Sequence, residues 1–292
     1  MKRFFFTPLA LASLLAACGG GSDGPGPVPT VASVSAGAAK YSQPLVITVT
    51  GTDVNQGLTV SSPACTGMSL SNSAPFVSSA TTAYYRCRAS ALGASTVTVA
   101  RASDSVTLGS APFSVPAPQV TMTLNAGAAA LGSIVFTLAP TSAPITVDNF
   151  LNYVNAGFYD GTVFHRIASN PAVVQGGGYA PITPPTVPAP KPGTNPPIAL
   201  EVGKGLGNAQ WSVAMARLDV PQTNTATSQF FVNLLNNPSL DTANGGYAVF
   251  GAVTTGTNVV SAIAAAPCTP IAGFSECVPT PNILITTAAQ TQ

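Results

Sequence analysis

The chain of 292 residues has one histidine, one tryptophan and only 7% charged residues. A single histidine, and five cysteines with no CxxC pair among them, leave no ligand set for zinc. Ten Lys and Arg against nine Asp and Glu give a net charge of +1. Such a balance excludes a basic stripe for nucleic acid and an acidic disordered tail. The glycine run at 176–178 lacks the Lys-Ser/Thr that would make it a phosphate loop. Nothing around His165 marks a nucleophile elbow or an acidic partner, so His165 reads as structural. No cofactor is implied. An apolar run at residues 4–15 is too short to cross a bilayer comfortably.

What the chain has in quantity is turn chemistry. It contains 27 Gly and 27 Pro with 46% hydrophobic residues, a mixture that suits β-rich domains joined by proline-rich connectors. The length allows about two domains. Lys2 and Arg3, the apolar run and then Leu15, Ala16, Ala17 and Cys18 form a targeting segment over residues 1–17. Small residues directly before a cysteine resemble a bacterial lipoprotein box, which implies that Cys18 is lipidated and anchors the chain to a membrane. Gly19 after it, in place of an acidic retention signal, favours a lipid anchor in the cell envelope, on the periplasmic side of the outer membrane if the cell is Gram-negative. The remaining cysteines, Cys65, Cys87, Cys268 and Cys277, are even in number, and export favours bridges. Spacing suggests Cys65–Cys87 and Cys268–Cys277, although four cysteines allow three pairings.

Residues 18–29 read as a Gly- and Pro-rich tether. Short β-type runs at 45–50, 84–88 and 96–99, separated by turn residues, predict a small Ig-like β-sandwich over 30–115. The only tryptophan, Trp211, lies outside it, so the core tryptophan of an antibody-type domain is missing. Residues 112–118 read as a linker. Beyond it, strands are predicted at 120–124, 133–138, 212–216, 229–234, 247–253 and 282–287. Val147, Phe150, Leu151 and Val154 recur at helical spacing and predict a helix over 146–156, preceded by Pro144 and ended by Gly157. A second helix fits 258–265. The proline-dense stretch 180–197 predicts an extended surface loop.

The segment FYDGTVFHRIASNPAVVQGGG at 158–178 and TSQFFVN at 227–233 carry the chemistry. Together they resemble the cyclophilin family of peptidyl-prolyl cis-trans isomerases, over about residues 119–288. The resemblance implies a mainly β fold, a closed antiparallel β-barrel with two capping helices, behind the sandwich. It implies a monomer that acts on proline-containing polypeptides, with no nucleic acid. It makes Arg166 the catalytic arginine and Gln175 its orienting partner. Phe231 matches the aromatic wall of the proline pocket, with Leu240 and Val173 beside it. Ala216, in VAMAR at 213–217, matches the small residue over which the peptide passes. Tyr247 stands where many members have histidine, and Arg217 where many have asparagine; both are substrate contacts. The family's pocket phenylalanine aligns with Ala172, and its frequent tryptophan with Ser239, which implies weak cyclosporin binding.

Overall fold

The computed structural model describes residues 27–183, 186, 188–218, 221, 223–271 and 277–292. The predicted targeting segment, Cys18 and most of the predicted tether lie outside them. Eight strands come first: β1 (Thr30–Ala36), β2 (Pro44–Thr52), β3 (Leu58–Ser61), β4 (Cys65–Ser73), β5 (Phe76–Val77), β6 (Thr82–Ala89), β7 (Gly93–Arg101) and β8 (Thr107–Val115). They form a five-stranded sheet in the order β1-β2-β6-β4-β5 and a three-stranded sheet β3-β7-β8. Alternation places Leu45, Ile47 and Val49 of one sheet and Val97 and Val99 of the other in the core, each 1% exposed or less. Cys65 and Cys87 are joined by a disulfide between paired strands of the same sheet, unlike the inter-sheet bridge of antibody domains. Residues 112–115 continue β8, so the predicted linker shortens to 116–118.

The second unit contains β9 (Gln119–Ala126), β10 (Ala129–Leu138), α1 (Pro144–Asn155), β11 (Val163–Ser169), β12 (Ala172–Gly176), β13 (Ser212–Met215), β14 (Phe230–Asn233), β15 (Val249–Thr255), α2 (Thr257–Ala264), β16 (Cys268–Pro270), β17 (Cys277–Pro279) and β18 (Ile283–Gln290). Pairing runs β12-β14-β13-β15-β10-β9-β18-β11, and β11 pairs back onto β12. Eight antiparallel strands therefore close into a barrel, which removes the open edges of a sheet. The β16–β17 hairpin, closed by the Cys268–Cys277 disulfide, adds onto β11.

The predicted apolar face of α1 is the face that packs: Val147, Phe150, Leu151 and Val154 are all buried. Pro144 starts the helix. The Glu201 carboxylate accepts the Ile145 and Thr146 N–H groups at 3.2 and 2.7 Å, satisfying donors that a helix start leaves open. Phe150 sits among Phe136, Tyr159, Phe230 and Phe250, with ring centroids 4.9–6.2 Å away. This cluster fixes β14 and the segment before β11, and so positions the outer face of the β11–β12–β14–β13 wall. The two units meet through Gln290, whose Nε2 donates to Tyr41 O at 2.9 Å, and through Arg88 and Asp148 at 2.9 Å.

Candidate active site

The site lies on the outside of the barrel. Along β12 the side chains alternate, so Val174 enters the barrel core while Val173 joins a separate apolar cluster with Ala168, Ala214, Phe231, Leu240 and Val249. β14 alternates the same way: Phe230 and Val232 face the core, and Phe231 faces outward. That outer cluster floors a cavity of about 420 Å³, at whose rim stand Arg166, Gln175, Ala216, Arg217, Ser239 and Tyr247.

Arg166 and Gln175 are cross-strand partners on β11 and β12. Arg166 Nη1 donates to Gln175 Oε1 at 3.1 Å, and Gln175 Nε2 donates to Gln229 Oε1 at 2.8 Å. One guanidinium N–H of Arg166 is thus directed by a side-chain amide. Phe231 and Tyr247 meet edge to face, centroids 5.8 Å apart, and form an aromatic corner. The turn that carries Leu240 is held by Asp241, whose Oδ1 accepts the Asn208 N–H at 2.7 Å and Nδ2 at 2.8 Å.

Two expectations change. Ala172 does not line the cavity. It shares the β12 face of Val174, and its neighbour Pro171 lines the wall instead. Strand alternation is the reason, since residues 171, 173 and 175 share one face. Arg217 lines the cavity, yet its guanidinium is engaged with the protein. Nε and Nη2 donate to Gly246 O at 3.0 and 2.6 Å, Nη2 to Asn244 O at 2.6 Å, and Nη1 to Leu218 O at 2.8 Å. Its Cζ lies 4.5 Å from the Tyr247 ring centroid. Arg217 thus buttresses the 244–246 turn and the Tyr247 ring. The backbone substrate contact anticipated for it has few donors left to use.

His165 is 2% exposed and packs edge-on against Tyr179 at 4.7 Å. Burial lowers its pKa to about 4, and the Arg166 charge adds to this; hydrogen bonds with the Val163 backbone and the Gln229 side chain act the other way. The imidazole is neutral near pH 7. The structure adds Gln229, Pro171 and Asn244 to the site. For Gln229 a signal existed, since it precedes Phe231 by two residues and shares its strand face.

The closed eight-stranded barrel thus carries on its outside a cavity with an apolar floor and, at its rim, a guanidinium bonded to a side-chain amide. Residues 120–290 match the family model described as cyclophilin type peptidyl-prolyl cis-trans isomerase/CLD. A peptidyl-prolyl cis-trans isomerase cyp18 of Streptomyces antibioticus is 46% identical over 148 residues, 49% of this chain and 82% of that protein. A peptidyl-prolyl cis-trans isomerase A of Dickeya dadantii is 38% identical over 159 residues, 54% of this chain and 78% of the relative. A crystal structure of a cyclophilin-type isomerase from Cryptosporidium parvum overlaps 60% of this chain and 98% of its own, with TM-score 0.47 and 22% identity. The chain belongs to the cyclophilin-type peptidyl-prolyl cis-trans isomerases.

Proposed function

We propose that the barrel isomerises X-Pro bonds in exported polypeptides, with Arg166 bonding the prolyl nitrogen as the amide twists. The barrier is the partial double bond of the amide, about 18–20 kcal/mol. No proton transfer or covalent intermediate is needed to cross it. As resonance is lost, the prolyl nitrogen gains a lone pair and becomes an acceptor. A donor that bonds it chiefly in that state lowers the barrier through differential binding. Arginine suits the task because it stays charged and presents several N–H groups in a fixed plane. Val173, Phe231, Leu240 and Ala216 hold the proline ring, and Gln175 orients Arg166.

The observation that carries this reading is the Arg166–Gln175 bond of 3.1 Å at the rim of a cavity with an apolar floor. Lipidation of Cys18 would tether the enzyme at the envelope, where slow X-Pro isomerisation delays folding. The test is cis-to-trans isomerisation of a proline tetrapeptide by the full chain. Acceleration is expected; none from a demonstrably folded protein would overturn the catalytic reading.

A second reading, a weakly catalytic proline-peptide binder with a chaperone role, draws on one feature. Ser239 gives the cavity rim a small polar wall with little apolar area to grip a peptide. A slow rate with intact peptide binding would favour it.

A further inference from the structure

The third glycine of the run, Gly178, lies against the side chain of Gln229. A Cβ at Gly178 would fall 2.5 Å from Gln229 Cγ, 2.6 Å from Cδ and 2.7 Å from Nε2, nearer than non-bonded atoms approach. Its φ is not positive, in contrast to that of Gly177 at 82°. The backbone at 178 therefore does not require glycine; the seat of Gln229 does.

The backbone around Gln229 is fixed on several sides. Tyr159 Oη donates to Ser228 O at 2.8 Å, Asn149 Nδ2 to Thr227 O at 2.7 Å, and the Ala216 N–H to Gln229 O at 2.9 Å. The side chain lies over Gly178 and is joined to His165 by a hydrogen bond. Its Oε1 accepts from Gln175 Nε2 at 2.8 Å. An amide has a donor end and an acceptor end. With Nε2 of Gln175 directed to Gln229, Oε1 is turned to Arg166 Nη1. The flipped amide would set donor against donor on the arginine.

We propose that Gly178 is a positioning residue: its bare Cα seats Gln229, which fixes the sense of the Gln175 amide and, through it, the Arg166 guanidinium. The inference rests on the role given to Arg166 above. The seat is itself tied to the proline-rich loop. Gly178 O accepts the Lys191 N–H at 2.9 Å, and Lys191 Nζ donates to Phe158 O at 2.6 Å and Asp160 O at 2.8 Å.

The test is a double-mutant cycle of Gly178→Ala and Gln229→Ala in the full chain, read by prolyl isomerisation and by the Gln175 side-chain amide resonance in NMR. Gly178→Ala is expected to lower kcat about three- to tenfold, the effect of one misplaced hydrogen bond, with KM within about twofold. It should also shift the Gln175 resonance. In the Gln229→Ala background the same substitution should change kcat by less than about 1.5-fold, because the clash has no partner there. Wild-type kcat with an unmoved Gln175 resonance in Gly178→Ala would overturn the proposal, as would an equal loss in both backgrounds. If Gly178→Ala fails to fold, Gln229→Asn carries the test. It shortens the reach to Gln175 and leaves Gly178 alone, so the same kcat loss and Gln175 shift are expected, and unchanged values overturn the idea. An inactive wild type would sink the reading of Arg166, while the Gln175 resonance would still report whether Gly178 orients that amide.

Discussion

In the sandwich, Arg101 pairs with the Asp104 carboxylate at 2.7 Å, and Arg88 reaches Asp148 across the interface at 2.9 Å. In the barrel, Arg166 meets the neutral Gln175 amide at 3.1 Å, and Arg217 meets backbone carbonyls at 2.6–3.0 Å. Both units are β, both carry one disulfide, and both bury alternate residues. They differ in that Arg88 and Arg101 of the sandwich each reach a carboxylate, Arg88 bonding Ser42 as well. A carboxylate neutralises a guanidinium and fixes structure, with little net stabilisation at an exposed surface. A neutral amide orients a guanidinium without itself opposing the charge, as the proposed role of Arg166 asks. Side-chain alternation completes the contrast. In the barrel wall the outer face carries a second apolar cluster, and the cavity forms over it.

Phe150→Ala should destabilise the protein by about 3–5 kcal/mol, because it removes the centre of the aromatic cluster beneath the site. Denaturant unfolding reads this directly, and activity should fall with the folded fraction.

Acid should act on the barrel through His165. Its folded pKa is about 4, below the ordinary 6.5. Between those values the unfolded chain binds the proton and the folded chain does not. Stability is therefore full above about pH 7, declines as pH falls from about 6.5 to 4, and changes no further from this group below 4, with a total of about 3 kcal/mol. Urea midpoints at several pH values check it, and His165→Gln should flatten the dependence.

A gain is expected at the rim. Ser239→Trp adds aromatic area beside the cavity and should tighten proline-peptide binding by about 1–2 kcal/mol, measured by calorimetric titration. The smallest effect belongs to the sandwich: Arg101→Ala should change stability by less than about 1 kcal/mol and leave isomerase kinetics unaltered.

Much of this was legible in the residues. The α1 face read from Val147, Phe150, Leu151 and Val154 is the buried face, and Pro144 and Gly157 bracket it as their backbone chemistry predicts. Six barrel strands were legible as elements, with ends within four residues because pairing partners set the limits, while β11 and β12, which carry Arg166 and Gln175, were not read as strands. The last strand runs to Gln290 since β9 continues beside it. Arg166, Gln175, Phe231, Leu240, Val173, Ala216 and Tyr247 do converge on one cavity. Ala172 was misplaced because matching by sequence gives a position but not a strand face. The buttressing bonds of Arg217 were not legible, because the Asn244 and Gly246 carbonyls are distant in sequence and carry no side-chain signal. For Gln229 the place two residues before Phe231 is a signal of the same face, but not of its role. Its importance comes from what lies on either side of it, Gly178 and Gln175, and that adjacency exists only after β12 and β14 pair.

The most direct test of the account separates rate from binding at Arg166. Wild type and Arg166→Ala would be compared in prolyl isomerisation and, in parallel, for affinity toward the same peptide. The account predicts that Arg166→Ala loses about a hundredfold in kcat/KM, while thermal stability and ground-state peptide affinity stay near wild type. An equal loss in rate and affinity, or retained turnover, would contradict it, since Arg166 would then hold the peptide or do nothing where the account has it stabilise the twisted amide.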